Sequence, residues 1–108
     1  MSKVTFEQFK QVEIRMGKVL ECERVDGADK LLKLQVDFGD FKRQIISGIA
    51  ESFSPEDLIG RTFPFVVNLE YRKIRGEESQ GMILAIDVED KTVLLEPTSE
   101  VETGAEVV

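Results

Sequence analysis

Between Phe63 and Ile86 the chain reads FPFVVNLEYRKIRGEESQGMILAI, and no other stretch limits the possible folds as tightly. Its ends are apolar and its middle is polar and cationic. Phe63, Phe65, Val67 and Leu69 alternate with Pro64, Val66 and Asn68, the two-residue period of a strand with one face in a core. Met82, Leu84 and Ile86 repeat that pattern on the far side. The segment between these strands carries Arg72, Lys73 and Arg75 in a chain of net charge −7. Two readings are open: a solvated hairpin end whose cations are balanced by Glu70, Glu77 and Glu78, or a site for an anionic ligand.

The rest of the chain supplies the strands such a segment needs. Thr5 and Gln8 form a capping-box pattern around the apolar pair Phe6 and Phe9, which predicts a short helix over one end of the domain. The period changes to two at Val12, Ile14 and Met16, and a long strand bent by a bulge at Gly17 is expected, able to serve two sheets. Asp26-Gly27 marks a tight turn; Leu32, Leu34, Val36 and Phe38 alternate in the next strand; Gly39-Asp40 leads into a strand from Phe41 to Ser47. Ser54-Pro55 starts a short helix that Gly60 ends. After Ile86 come a turn at Glu89-Asp90-Lys91, a last strand over Thr92 to Glu96, and an acidic extension through Gly104 to Val107-Val108. This order predicts an all-β fold, an OB-type five-stranded Greek-key barrel with short helices and a C-terminal extension. A chain of 108 residues without repeat or linker reads as one domain over residues 1–108.

Several function classes fall away by absence. There is no histidine and one cysteine, Cys22, so neither an internal disulfide nor a Cys/His zinc site can form, and acid–base chemistry lacks its commonest carrier. Ser47 and Ser79 have no base partner in the pattern, and the acids Asp87, Glu89 and Asp90 read as a solvated turn. No catalytic residue, metal site or cofactor is expected. With 42% hydrophobic and 32% charged residues, no long apolar run and no secretory block near Met1, the expectation is a globular protein of the cytoplasm with no membrane segment. The charge of −7 argues against nucleic acid only until its distribution is considered. Residues Asp87 to Val108 hold seven acids and one cation, a charge of −6, which leaves −1 for residues 1–86. Because salt screens beyond about 8 Å, an acidic tail and a basic groove can coexist.

Seven blocks in order carry a family resemblance: Ile14-Arg15-Met16-Gly17-Lys18-Val19, Ala28-Asp29-Lys30-Leu31, Ile46-Ser47-Gly48-Ile49, Pro55-Glu56-Asp57-Leu58-Ile59-Gly60, Asn68-Leu69, Arg72-Lys73-Ile74-Arg75-Gly76 and Glu78-Ser79-Gln80-Gly81-Met82. Their order and spacing resemble the tRNA-binding domain family over essentially the whole chain. The sequence looks most like a free-standing member of it, a beta subunit of methionyl-tRNA synthetase. The resemblance implies a homodimeric OB barrel that recognises the tRNA fold and, as an accessory subunit, lends affinity to the synthetase catalytic subunit. It further implies an RNA-facing surface of Lys30, Asn68, Arg72, Lys73, Arg75, Ser79 and Met82. Cations suit phosphate oxygens, and Asn68 and Ser79 can hydrogen-bond sugar or base edges. Asn68 as a barrel-corner staple, Ser79 as a loop cap and Met82 as core are the competing structural readings. A related family of export-associated chaperones, which bind unfolded polypeptide, shares the fold and the Phe-Glu-x-Phe opening but resembles this chain less over Arg72 to Met82. Two departures stand out: Asp26-Gly27 replaces a common His-Pro, and Glu70-Tyr71 replaces a Lys-Pro. The second puts an anion where the family has a cation, with Tyr71 as a stacking surface beside it.

Overall fold

The computed structural model describes all residues from Met1 to Val108. Helix α1 (Phe6–Phe9) starts as its sequence predicts. The Gln8 amide donates to Thr5 Oγ1 at 3.1 Å, and the Thr5 amide donates to Gln8 Oε1 at 2.9 Å. The helix does not cover an end of the domain, however. One turn is too short to present a packed face, and Phe6 stays 73% exposed.

Strand β1 (Ile14–Val25) is the spine of the sheet. It pairs antiparallel with β2 (Ala28–Asp37) from Lys18 onward, and with β4 (Thr62–Val66) from Ile14 to Lys18. The strand serves two partners as expected, but its irregularities lie between Val19 and Glu21 and between Arg24 and Val25 rather than at Gly17. Gly17 has a packing role instead: a Cβ there would stand 2.5 Å from Val36 Cγ1 and 2.6 Å from Phe38 Cε1. Asp26-Gly27 makes the two-residue turn into β2, with Gly27 alone at positive φ, 74°, in the left-handed region that glycine tolerates. Leu32, Leu34, Val36 and Phe38 point inward as their spacing predicts, and β3 (Lys42–Ser47) completes the meander.

The next region departs from the simple alternation. Phe63 to Val67 are all buried, so β4 has no solvent face, and Leu69 lies outside it and exposed. On the far side the phase is the reverse of the expected one. Strand β7 (Met82–Ile83) buries Ile83, whereas Met82 and Ile86 are exposed. The cause is register: Ile83 stands opposite Phe65 and joins it in the core cluster, whereas Met82 stands opposite Val66, which is buried outside that cluster. Between β4 and β7 the chain forms a second hairpin, β5 (Arg72–Ile74) with β6 (Glu77–Ser79). Its turn residues Arg75 and Gly76 both have positive φ, 53° and 83°.

The main sheet runs β3-β2-β1-β4-β7, the five-stranded barrel expected from the sequence. It closes between β3 and the residues preceding β7, and much of that closure is made by side chains. The Ile46 amide donates to Ser79 Oγ at 3.0 Å and the Ser79 hydroxyl donates to Gly81 O at 3.0 Å. Beside them, Gln80 N donates to Gln44 O at 2.7 Å and Gln44 N donates to Gln80 Oε1 at 2.9 Å. Inside, Phe38 meets Phe65 edge-on with ring centroids 5.5 Å apart, at the centre of the aliphatic core.

The remaining elements are attached to this barrel. Strands β8 (Ala85–Val88) and β9 (Lys91–Leu94) form a separate hairpin, and Leu94 packs on the core. Arg61 grips Glu96 through Nε at 3.1 Å and Nη2 at 2.7 Å, which holds the Glu96 carboxyl below its ordinary range. The C-terminal extension is stitched to β1 by Met16 N donating to Ala105 O and Gly104 N donating to Met16 O, both at 2.8 Å, and ends in β10 (Glu106–Val107) beside Ile14 and Arg15. No helix is long and apolar enough to cross a membrane.

Ser79→Ala removes both bonds at the seam and leaves the buried Ile46 amide without its acceptor. The variant should lose about 1–3 kcal/mol of stability. Urea unfolding should show a lower midpoint at unchanged slope; an unaltered midpoint would mean that the seam does not depend on this hydroxyl.

Candidate nucleic-acid interface

The β5–β6 hairpin sorts its side chains by alternation. Arg72 opposes Ser79 and Ile74 opposes Glu77, so these four share one face, and Lys73 with Glu78 takes the other. Because Ser79 is buried, the first face looks toward the barrel. Two hollows open along it on either side of Ile74. One is bordered by Gly27, Lys30 and Arg75; the other by Leu69, Glu70, Arg72 and Met82. Leu69 and Glu70 also border a third hollow, which reaches Asn68, Tyr71 and Arg43. The three form one trough from the β1–β2 turn to the end of β4.

The seven residues singled out in the sequence are distributed unequally over this trough. Lys30, Arg72, Arg75 and Met82 lie along it and are exposed. Arg75 is aimed by its own hydrogen bond, Nη2 donating to Gly27 O at 2.7 Å. Lys73 is exposed on the opposite face of the hairpin. Asn68 acts as a staple: Oδ1 accepts from Glu13 N at 2.8 Å and Nδ2 donates to Gln11 O at 2.6 Å, tying the end of β4 to the segment before β1. Ser79 is 5% exposed with its hydroxyl committed to the seam, and Met82 is 45% exposed on the rim.

Charge balance in the hairpin differs from the bland expectation. Glu77 accepts from Lys33 Nζ at 3.3 Å, an ammonium also held by Glu23 at 3.1 Å, and the hydrogen bonds that Lys33 donates to Glu23 and then to Glu77 raise its pKa. Glu78 Oε1 accepts from Gln80 Nε2 at 3.0 Å. Lys30, Arg72, Lys73 and Arg75 form no ion pair; three carboxylates border the trough, Asp29 next to Lys30, Glu70 with Arg72 and Tyr71, and Glu13, which is paired with Arg15. Unpaired cations at fixed points on two different hairpins suit an anion with its own fixed spacing.

One contributor escaped the sequence reading. Arg43 on β3 donates from Nη1 to Val67 O and to Gln80 O, each at 3.0 Å, and its guanidinium lies 4.8 Å from the Phe41 ring and 5.5 Å from the Tyr71 ring. Phe41 and Arg43 are two residues apart, so the strand period was the available signal that they share a face. Elsewhere, burial and then the neighbouring Glu23 push the Cys22 thiol up to about 11, which keeps it protonated and unreactive near neutral pH. No group of three Cys, Asp or Glu side chains converges to hold a metal ion.

Comparison with known proteins bears directly on this architecture. Residues 14–106 match the family model described as "Putative tRNA binding domain". A methionine–tRNA ligase of Methanothrix thermoacetophila is 52% identical over 101 residues, which cover 94% of this chain and 15% of that enzyme. The chain thus spans only a small part of the length of such relatives. Among solved structures, a methionyl-tRNA-synthetase-related protein of Pyrococcus horikoshii is 40% identical with a TM-score of 0.94, covering 100% of both chains. The chaperone CsaA of Bacillus anthracis is 29% identical with a TM-score of 0.91, covering 99% of this chain and 100% of that one. The family pattern runs from the first residue of β1 to the strand that closes the C-terminal extension, and the chain therefore belongs to the tRNA-binding domain family.

Proposed function

We propose that this chain is a non-catalytic tRNA-binding module that reads the shape of folded tRNA and serves methionyl-tRNA synthetase as an accessory (beta) subunit. The observation that carries this reading is the trough. Lys30 and Arg75 at one end and Arg72 in the middle are held by two hairpins, exposed and free of carboxylate partners. Phosphates at fixed spacing on a folded RNA meet such cations without first being ordered, whereas a flexible strand loses entropy on docking. Asn68 and Ser79 act from behind, as the groups that hold the trough in shape. The family and its synthetase relatives support the same reading. A second reading, capture of unfolded polypeptide, draws on the likeness to the CsaA chaperone and on the exposed apolar side chains Leu69, Tyr71 and Met82 beside the cations.

Fluorescence anisotropy with folded tRNA, single-stranded DNA of equal length and a denatured polypeptide separates these readings. Folded tRNA should bind tightest; DNA or polypeptide binding as tightly would sink shape reading. Arg72→Ala and Arg75→Ala should weaken all tRNAs alike and flatten the slope of log K against log salt by roughly 0.7–0.9 for each phosphate no longer neutralised. Lys73→Ala, on the far side of the hairpin, should do less. Equal effects of all three would move the site off the trough.

The accessory role predicts a lower apparent KM for tRNA when the chain is added to a methionyl-tRNA synthetase catalytic subunit, because a second binding module raises effective concentration. An unchanged KM over a salt series, with the complex verified, counts against it.

The proposed module is a homodimer. Phe6 and Phe9 on α1, Val12, and Val107 and Val108 at the other end are exposed apolar residues that one barrel leaves uncovered. Light scattering coupled to gel filtration should give twice the chain mass, and a monomer at micromolar concentration would exclude this arrangement.

A further inference from the structure

The departure Glu70-Tyr71 has a structural setting that suggests a function of its own. Tyr71 is 51% exposed at the rim of a hollow of about 420 Å3 whose wall includes Arg43, Asn68, Leu69 and Glu70. Arg43 cannot swing away from the ring, because two backbone carbonyls hold its guanidinium. Phe41 and Tyr71 therefore share one fixed cation, which favours a Tyr71 ring orientation against it. A half-exposed aromatic backed by a held guanidinium and set beside an exposed Leu69 favours a flat apolar partner and loses less freedom on binding it than an unsupported ring.

The polar groups of the hollow narrow the partner further. Both ends of the Asn68 amide are engaged with backbone, and Glu13 is tied to Arg15 Nε at 2.6 Å. Glu70 forms no ion pair or side-chain hydrogen bond. As a carboxylate it only accepts hydrogen bonds, and it repels phosphate. The edge it suits is one that donates. Guanine offers two adjacent N–H donors that match both carboxylate oxygens, and adenine and cytosine offer an exocyclic amine. Uracil sets its single N–H between two carbonyl oxygens, which a carboxylate disfavours.

We propose that Tyr71, backed by Arg43, is a stacking platform for one unpaired nucleobase of the bound RNA, and that Glu70 reads an amine-bearing edge of that base, guanine foremost. This rests on the tRNA-binding reading and adds a base subsite to its phosphate contacts. A paired base has both its faces and its edge occupied, so the subsite takes only a nucleotide that the RNA fold leaves unstacked. One platform takes one base, which keeps the site distinct from a strand-tracking groove with successive aromatics.

The sequence contains no tryptophan, so Tyr71→Trp places a lone reporter in the platform that can be excited on the red edge of nucleic-acid absorption. Its emission should be quenched by folded tRNA and by an RNA hairpin bearing a single unpaired 3′ guanosine, more weakly by one bearing a 3′ uridine, and not by a blunt hairpin. Tyr71→Ala should weaken tRNA binding roughly 5- to 150-fold, the reduction expected when one stacked base loses its platform, with an unchanged salt slope. Tyr71→Phe should retain affinity, and Glu70→Gln should erase the preference for guanosine over uridine. Binding of tRNA without tryptophan quenching, or a Tyr71→Ala effect that flattens the salt slope, overturns the base subsite and leaves the proposed tRNA-binding function standing. Equal quenching by the blunt hairpin also overturns the subsite. Failure of the unaltered chain to bind tRNA removes both.

Discussion

The β7 strand is only two residues long, and a barrel cannot be closed by so short a ladder alone. The chain closes it with the Ser79 hydroxyl and the paired Gln44 and Gln80, which bond the β3 backbone to the residues just before β7. These bonds lie where water has little access, so an unmade one is costly and a made one holds its partners in place. Ser79 ends β6, so the seam that completes the core also fixes the orientation of the β5–β6 hairpin. The direction in which Arg72 points is a consequence of barrel closure.

Electrostatics on this molecule follows from how its few cations are spent. Arg15, Lys33 and Arg61 are paired with Glu13, with Glu23 and Glu77, and with Glu96 respectively; Arg15 also donates to Gly104 O of the extension, Lys33 holds the tip of the β5–β6 hairpin, and Arg61 holds the segment after β9. These exposed or part-exposed pairs contribute little stability individually. Lys33 has a further effect on the trough: by engaging Glu77 it withdraws one carboxylate from the hairpin cations. An overall charge of −7 and a locally cationic trough are compatible because −6 of that charge belongs to residues 87–108, none of which borders the trough, and salt screens charges beyond roughly 8 Å.

The same barrel is shared by a synthetase-related protein and by a chaperone, with TM-scores of 0.94 and 0.91. Fold alone therefore does not fix the ligand, and the proposed choice of RNA rests on the composition of the trough. Here cations alternate with Ile74, Leu69, Met82 and Tyr71, a mixture in which charge sets attraction at a distance and the apolar rim contributes on contact.

Features set by neighbours in sequence were legible directly. The Thr5–Gln8 capping box, the Asp26-Gly27 turn and the inward file Leu32, Leu34, Val36 and Phe38 depend on local dihedrals and a two-residue period, so each appears where the residues predict it. The overall barrel followed from the order of those elements, and the cations of the trough were visible as a cluster. What the chain alone left undetermined involves residues far apart in sequence. Ile83, not Met82, is buried because it pairs with Phe65 on the core side of β4 while Met82 pairs with Val66 outside that cluster; Lys73 parts from Arg72 because the hairpin folds one face onto β3; Ser79 serves the seam because Ile46, 33 residues earlier, presents an unpaired amide. Asn68 binds backbone 55 and 57 residues away, and Arg43 finds its carbonyls 24 and 37 residues on. Periodicity states that a strand has two faces. Only the strand lying beside it decides which face is inside, because burial is a property of the pair.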